Sequence, residues 1–408
     1  MKHISIFLAL FSVSFFSIAG GSQVNLQGQK QQGMGHLGTA FTLGAENLFF
    51  NPGSIGFLQH RTMFSGGING IIGTVVFQPE NEREVYRTEP GISTPFNLYA
   101  THQINKKWSA GLGVFIPFGS TVEWEEEWKG RYILQKVELR TFNIQPTLSY
   151  KVNERLGIGL GGIIGIGSVL LEKDIPVESN NDERYYARLE GSDVSFGFNI
   201  GVYYDVNDKW KAGVTYRSGI EYEVEDGDAT FFRPESLSDR FPKNNSFDAS
   251  LPLPSTTSFA LTHKASERLG VGVEFNFVGW SVYERLKIDF EENTESLDDV
   301  NDRKDYKSGI IARVGAAYAC TEEFTVRLGA YFDRTPVNER YWGPETPDMN
   351  KVGLTTGFTY QLSDRGAIDL SYIFIYGAER EVRNVEQGFS GTAKAVAHVP
   401  GIGFSYNF

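Results

Sequence analysis

Catalysis in this chain would have to be built from few residues. Beyond the N-terminal stretch the histidines are His36, His60, His102, His263 and His398, and none has a serine at the close His-x-Ser spacing of an acyl hydrolase. Gly157-x-Gly159-x-x-Gly162 spells a dinucleotide fingerprint, yet its glycines continue an alternating strand and no helix follows. Cys320 is the single cysteine, so no intramolecular disulfide, CxxC pair or thiolate zinc cluster can form. Glu125-Glu126-Glu127 and Asp298-Asp299 have the charge to bind calcium or to bridge lipopolysaccharide, and they equally suit solvated loops. The reading is a non-enzyme with no cofactor and no metal site.

Binding is better provided for. Arg217, Arg313 and Arg327 fall on the small-residue face of their segments, the face that also carries Glu274, Asp333 and Asp369. Arginines in a low-dielectric interior either neutralise such carboxylates or meet the carboxylate head of a ligand. Arg313 and Arg327 are the first candidates for that contact, and Arg217 the next.

What must position these arginines is a set of strands. Phe, Tyr and Trp number 31, 19 and 6, and Gly 45, a composition that suits strands. Phe142, Ile144, Pro146, Leu148 and Tyr150 alternate with Asn143, Gln145, Thr147, Ser149 and Lys151. The split recurs at Phe196–Tyr204, Phe324–Phe332 and Ile368–Tyr376. An apolar face this regular, opposite charges, has to meet lipid. Fourteen such segments are predicted, at 60–78, 92–104, 107–118, 137–152, 154–173, 189–206, 208–226, 244–264, 267–291, 302–320, 322–335, 350–362, 366–383 and 393–408.

Their connections alternate between tight turns, such as Asn105-Lys106-Lys107 and Asn207-Asp208-Lys209, and long acidic loops. Short turns belong on the periplasmic side, so an even strand number puts both termini there. The expected fold is an all-β, 14-stranded antiparallel transmembrane barrel.

The formal charge of −12 excludes a general nucleic-acid binder, and 41% hydrophobic residues with a mean hydropathy of −0.26 exclude a bundle of membrane helices. Lys2 and His3 precede the apolar run Ile4–Ile18, and Ser17-Ile18-Ala19 offers the small residues of a signal-peptidase site. Residues 1–19 are thus expected to be a signal peptide of an exported chain. Residues 20–59, with Gly28, Gly33, Gly35, Gly38 and Gly44 among glutamines, form no amphipathic strand and are expected to fold inward as a plug of the barrel at 60–408.

At this point the sequence resembles a family, the FadL-type long-chain fatty acid transporters of Gram-negative outer membranes, which include aromatic-hydrocarbon channels of the TodX type. The likeness covers the mature chain. It rests on Gly33-Met34-Gly35 through Ala40, and on Asn51-Pro52-Gly53, which is similar to the family's Asn-Pro-Ala hatch signature with Gly53 for alanine. It rests further on Pro117-Phe118-Gly119 followed by Trp128, Arg131 and Tyr132, and on Tyr216-Arg217-Ser218, Leu251-Pro252-Leu253-Pro254, Trp280-Ser281, Arg327–Tyr331 and Pro347-Asp348.

The resemblance implies passive outer-membrane uptake of a fatty acid, hydrocarbon or other hydrophobic molecule. It implies capture at surface loops, passage through an apolar lumen past the hatch (Asn51, Pro52, Gly53), and sideways exit where strand three kinks. Gly111, Gly113, Pro117, Phe118 and Gly119 are the candidates for that lateral gate. It also favours a monomer set among outer-membrane lipid and lipopolysaccharide. Phe408, with Tyr406 on the same face, resembles the signal read by the outer-membrane assembly machinery. A general porin or a structural or adhesive barrel is the alternative.

Overall fold

Period-two alternation becomes a closed wall. The structure, a computed structural model, describes residues 21–177 and 183–408, so the expected signal segment lies outside the described residues. Fourteen antiparallel strands run in chain order, several in two pieces. These are β1 (Thr62–Asn69 and Ile72–Pro79), β2 (Tyr86–Arg87 and Phe96–Gln103), β3 (Trp108–Phe115 and Gly119–Glu123), β4 (Lys136–Lys151), β5 (Leu156–Asp174), β6 (Tyr186–Asp205) and β7 (Trp210–Arg217 and Ile220–Phe232). There follow β8 (Asn244–Leu253 and Thr256–Lys264), β9 (Leu269–Val278 and Arg285–Phe290), β10 (Val300–Arg303 and Gly309–Ala319), β11 (Phe324–Asp333), β12 (Lys351–Gln361), β13 (Gly366–Asn384) and β14 (Phe389–Asn407). Pairing of Met63–Asn69 with Gly401–Asn407 closes the barrel between its first and last strands.

The faces sort as the periodicity predicts. Phe196, Phe198, Ile200 and Val202 are exposed on β6 while Asn199 between them is buried. On β13, Leu370 and Tyr372 point out and Asp369 and Ser371 point in. Exposed greasy side chains cover the belt that lipid would cover. Below the belt the short turns share one chemistry. The side-chain oxygens of Asn105, Asn153 and Asn207 each accept two following backbone N–H groups, at 2.8–3.0 Å.

Several strands extend further outward than the periodicity suggests, β7 to Phe232, β3 to Glu123 and β14 back to Phe389. Above the belt the outward residues turn polar, as with Arg188, Glu190 and Ser192 on β6, so the apolar-out signal ends while the ladder continues. The outer mouth closes over an aromatic cluster. Trp124 and Trp128 from the loop after β3 stack at 4.4 Å, and Phe77 stacks on Phe389 at 4.8 Å and on Trp342 at 5.5 Å.

Residues 21–58 lie inside the wall. They hold two single-turn helices, α1 (Gln29–Gln32) and α2 (Asn47–Phe50), and a 3-10 turn at Pro52–Phe57. Two short helices have too few internal bonds to stand alone, so the wall must supply the rest.

Candidate functional site: the plugged lumen and its chambers

Asn51 organises the lower lumen. It is fully buried, accepts from Gly53 N–H to cap the 3-10 turn, and donates to the carbonyls of Thr39 at 2.7 Å and of wall residue Val202 at 3.0 Å. The wall meets it with glycine. A Cβ on Gly159 would lie 2.3 Å from the Pro52 carbonyl carbon, and one on Gly201 only 2.2 Å from Asn51 Oδ1. Gly53 is equally constrained, since a Cβ there would come within 2.8 Å of the carbonyl oxygens of Gly157 and Gly201. Glycine at the third position of Asn51-Pro52-Gly53 therefore lets plug and wall backbones touch.

The plug is also tethered by charge. Glu274 accepts from the N–H groups of Gly38 and Thr39 at 3.2 and 3.1 Å. Arg313 donates to Gly35 O, Asn276 Oδ1 and Asn25 Oδ1, so its fork is largely committed. Arg327 bonds Thr359, which in turn bonds Asp369, and Asp369 lies 3.7 Å from Lys30 of α1. Arg327 is thereby part of the floor under α1 and does not line either chamber. The sequence, which ranked it beside Arg313 for ligand contact, could not show that the plug covers it.

Arg217 is placed differently. It donates to Gln145 Oε1 at 2.9 Å and Phe49 O at 3.0 Å, and its guanidinium rests 4.4 Å over the Phe49 ring and 5.5 Å from that of Phe115. Among the described residues no carboxylate forms an ion pair with it. It faces a small chamber of about 60 Å³, which Arg313, His36, Asn199, Gln27 and Phe118 also line. His36 sits in the plug at φ 63° and packs 4.8 Å from the Phe50 ring. Burial, and then the Arg313 charge, hold its imidazole well below the usual histidine range, so it is neutral and accepts from Gln27 N–H.

A second chamber of about 90 Å³ lies higher, between β4 and β9. Leu139, Leu171, Leu189, Val224, Phe247 and Ile288 are among its walls, and Tyr222 and Asp193 supply its few polar atoms. Its chemistry is that of an apolar tail.

Beside the lower chamber the wall comes apart. β2 and β3 pair from Gln103↔Ser109 up to Asn97↔Phe115, and contact resumes only at the Thr88↔Trp124 bridge. Between these points β2 stays on β1, while β3 breaks at Ile116, Pro117 and Phe118 and gains one residue relative to β4, from Phe115↔Asn143 to Gly119↔Arg140. Thr141 satisfies the freed Phe118 groups, donating to its carbonyl at 2.6 Å and accepting from its N–H at 3.2 Å. The open edge is taken by the plug's first residues, with Val24 N bonding Pro117 O and Gly119 N bonding Ser22 O. Gly111 and Gly113 lie below the break in intact ladder, where their missing side chains make room for Leu48 of α2. The break therefore falls at proline, which lacks a donor, and the two glycines serve plug packing.

Sequence reasoning missed Asn199, Gln27, Gln145, His36 and the Phe49 carbonyl. Asn199 had a signal, a large amide between Gly197 and Gly201 on the inward face. The plug residues had none, because no periodicity places them.

Comparison with known proteins gives a consistent result. The model of the family of outer membrane protein transport proteins (OMPP1/FadL/TodX) matches residues 10–408. Outer membrane protein P1 of Haemophilus influenzae is 24% identical over 357 residues, 78% of this chain and 76% of its own. The long-chain fatty acid transport protein of Escherichia coli O6:H1 is 22% identical over 345 residues, 76% of each chain. The crystal structure of a Pseudomonas aeruginosa FadL homologue superposes with a TM-score of 0.85 at 20% identity, covering 95% of this chain and all of the other.

Proposed function

Since the chain belongs to the outer membrane protein transport protein family (OMPP1/FadL/TodX), transporters of hydrophobic compounds in the Gram-negative outer membrane, we propose that its cargo is a long-chain fatty acid. The acyl tail passes the upper apolar chamber, the carboxylate comes to Arg217 with Arg313 beside it, and the molecule leaves sideways between β2 and β3. The observation that carries this reading is Arg217, a guanidinium enclosed in the lumen, facing a chamber and without an ion-pair partner among the described residues. A neutral hydrocarbon has no use for that charge.

Physics favours the side exit. A tail released into water re-exposes about 0.8 kcal/mol per CH₂, roughly 10 kcal/mol for a long chain, whereas a route into the bilayer avoids it. The break in pairing at Ile116–Phe118 lies beside the chamber that Phe118 lines, which supports an exit there. In this reading residues 21–58 are the hatch, and the edge bonds of Ser22 and Val24 are the ones that part. A general porin would need a wide wet lumen, and the plug occupies that space.

Equilibrium binding of hexadecanoic acid and of toluene to the purified barrel and to Arg217→Gln tests the proposal. Binding of the acid, weakened about tenfold or more in the variant with toluene indifferent to it, supports it. Toluene binding alone, with Arg217→Gln silent, would make the channel one for neutral hydrocarbons.

A further inference from the structure

The chamber beside Arg217 holds more than a cation. Asn199 stands directly opposite Arg217 on the neighbouring strand, and both side chains donate to the same carbonyl, Phe49 O, at 3.0 Å each. With its amide nitrogen committed to Phe49, Asn199 is left with a carboxamide oxygen that has no partner. Gln27 repeats the situation. Its Nε2 donates to Val24 O at 2.8 Å and Ile116 O at 2.9 Å, and its oxygen is unpartnered. Gln23 Oε1 is a third. All three residues line this chamber, and Asn199 and Gln27 are each only 1% exposed.

Buried polar atoms are almost always satisfied, so three orphan acceptors in one chamber indicate something with donors to offer. A plain carboxylate is acceptor-only. It answers the guanidinium and leaves the amide oxygens worse placed than before. A protonated carboxyl supplies one donor but leaves the cation unmatched. A head group with a hydroxyl next to its carboxylate answers the guanidinium and one of the amide oxygens.

Resting on the fatty-acid reading above, we infer that this chamber selects hydroxylated fatty acids, with Arg217 taking the carboxylate and one of the two carboxamide oxygens, of Asn199 or of Gln27, accepting from the hydroxyl. Asn199 and Gln27 are the specificity-determining residues. Their nitrogens are fixed by plug and wall carbonyls, which sets each oxygen's direction before the ligand arrives. The same construction discriminates strongly, because an analogue without the hydroxyl leaves buried acceptors unpaired.

The test compares hexadecanoic acid with 2-hydroxy- and 3-hydroxyhexadecanoic acid, at a pH where all are ionised, on the purified wild-type barrel. At least one hydroxy acid is expected to bind about tenfold tighter than the plain acid. In at least one of Asn199→Leu and Gln27→Leu that ratio falls towards one, whereas Arg217→Gln weakens plain and hydroxy acids alike. A ratio near one in the wild type overturns the inference, leaving water as the orphans' partner, and needs no variant to be read. A wild-type preference that survives in both leucine variants also overturns it. If the plain acid binds and the ratio is one, only this inference falls; if no acid binds, the fatty-acid reading falls with it.

Discussion

Asn199 and Arg217 share one hydrogen-bond acceptor, the carbonyl of Phe49, each donating at 3.0 Å from opposite positions on β6 and β7. One plug carbonyl thus orients both a cation and an amide at the chamber wall. Plug position and the orientation of both side chains are coupled through that atom.

Plug packing should depend on missing side chains at specific wall positions. Gly159→Leu puts a side chain where Pro52 lies 2.3 Å from the new Cβ, whereas Gly162→Leu puts one where nothing lies within 4 Å. The first should cost about 1–3 kcal/mol by overpacking and raise ion conductance as the plug shifts. The second should leave both unchanged. Equal conductance in the two variants would contradict this account of the glycines.

The edge of β3 should have to part from the plug for release. Gln23 and Phe118 are bridge partners flanked by the Val24–Pro117 and Ser22–Gly119 bonds, the close type of antiparallel pair, with Cα atoms about 4.5 Å apart and within disulfide reach. In a Cys320→Ser background, Gln23→Cys with Phe118→Cys should stop fatty-acid uptake when oxidised and regain it on reduction. Undiminished uptake by the oxidised protein would place the exit elsewhere.

Docking of the plug should weaken in acid. The imidazole of His36 is held below its usual value of 6.5 by burial and the Arg313 charge. An undocked plug therefore binds the proton first as pH falls, and docking, fully favourable above about 6.5, loses stability below it. Hydrogen-exchange protection of residues 21–58, taken relative to the intrinsic exchange rate at each pH, should fall between about pH 7 and pH 5, and His36→Gln should flatten the response. Identical protection at both values in the wild type would discount His36 as the cause.

Mouth closure should rest on the loop tryptophans. Trp124 is fully buried, stacks on Trp128 and donates from Nε1 to Pro344 O at 3.2 Å. Trp124→Ala should cost about 3–5 kcal/mol and expose the loops at 124–135 and 334–350 to protease. Unchanged proteolysis would mean that these loops are held by other contacts.

The sequence by itself determined the wall. Within the belt, period-two alternation sorted lipid-facing from inward residues, because a bilayer rewards one face and forbids the other, and turn residues marked the ends with short connections. It therefore also showed that Arg217, Arg313 and Arg327 point inward. Tertiary structure alone decided what each meets there. Arg327 is covered by the plug and linked through Thr359 to Asp369, Arg313 is spent on Gly35, Asn25 and Asn276, and Arg217 is left facing the chamber without an ion-pair partner among the described residues. The plug is the reason. Its 38 described residues from Gly21 to Leu58 carry no period, their bonds run to wall residues hundreds of positions away, and no local pattern in a chain can specify a partner that only closure of the barrel brings near.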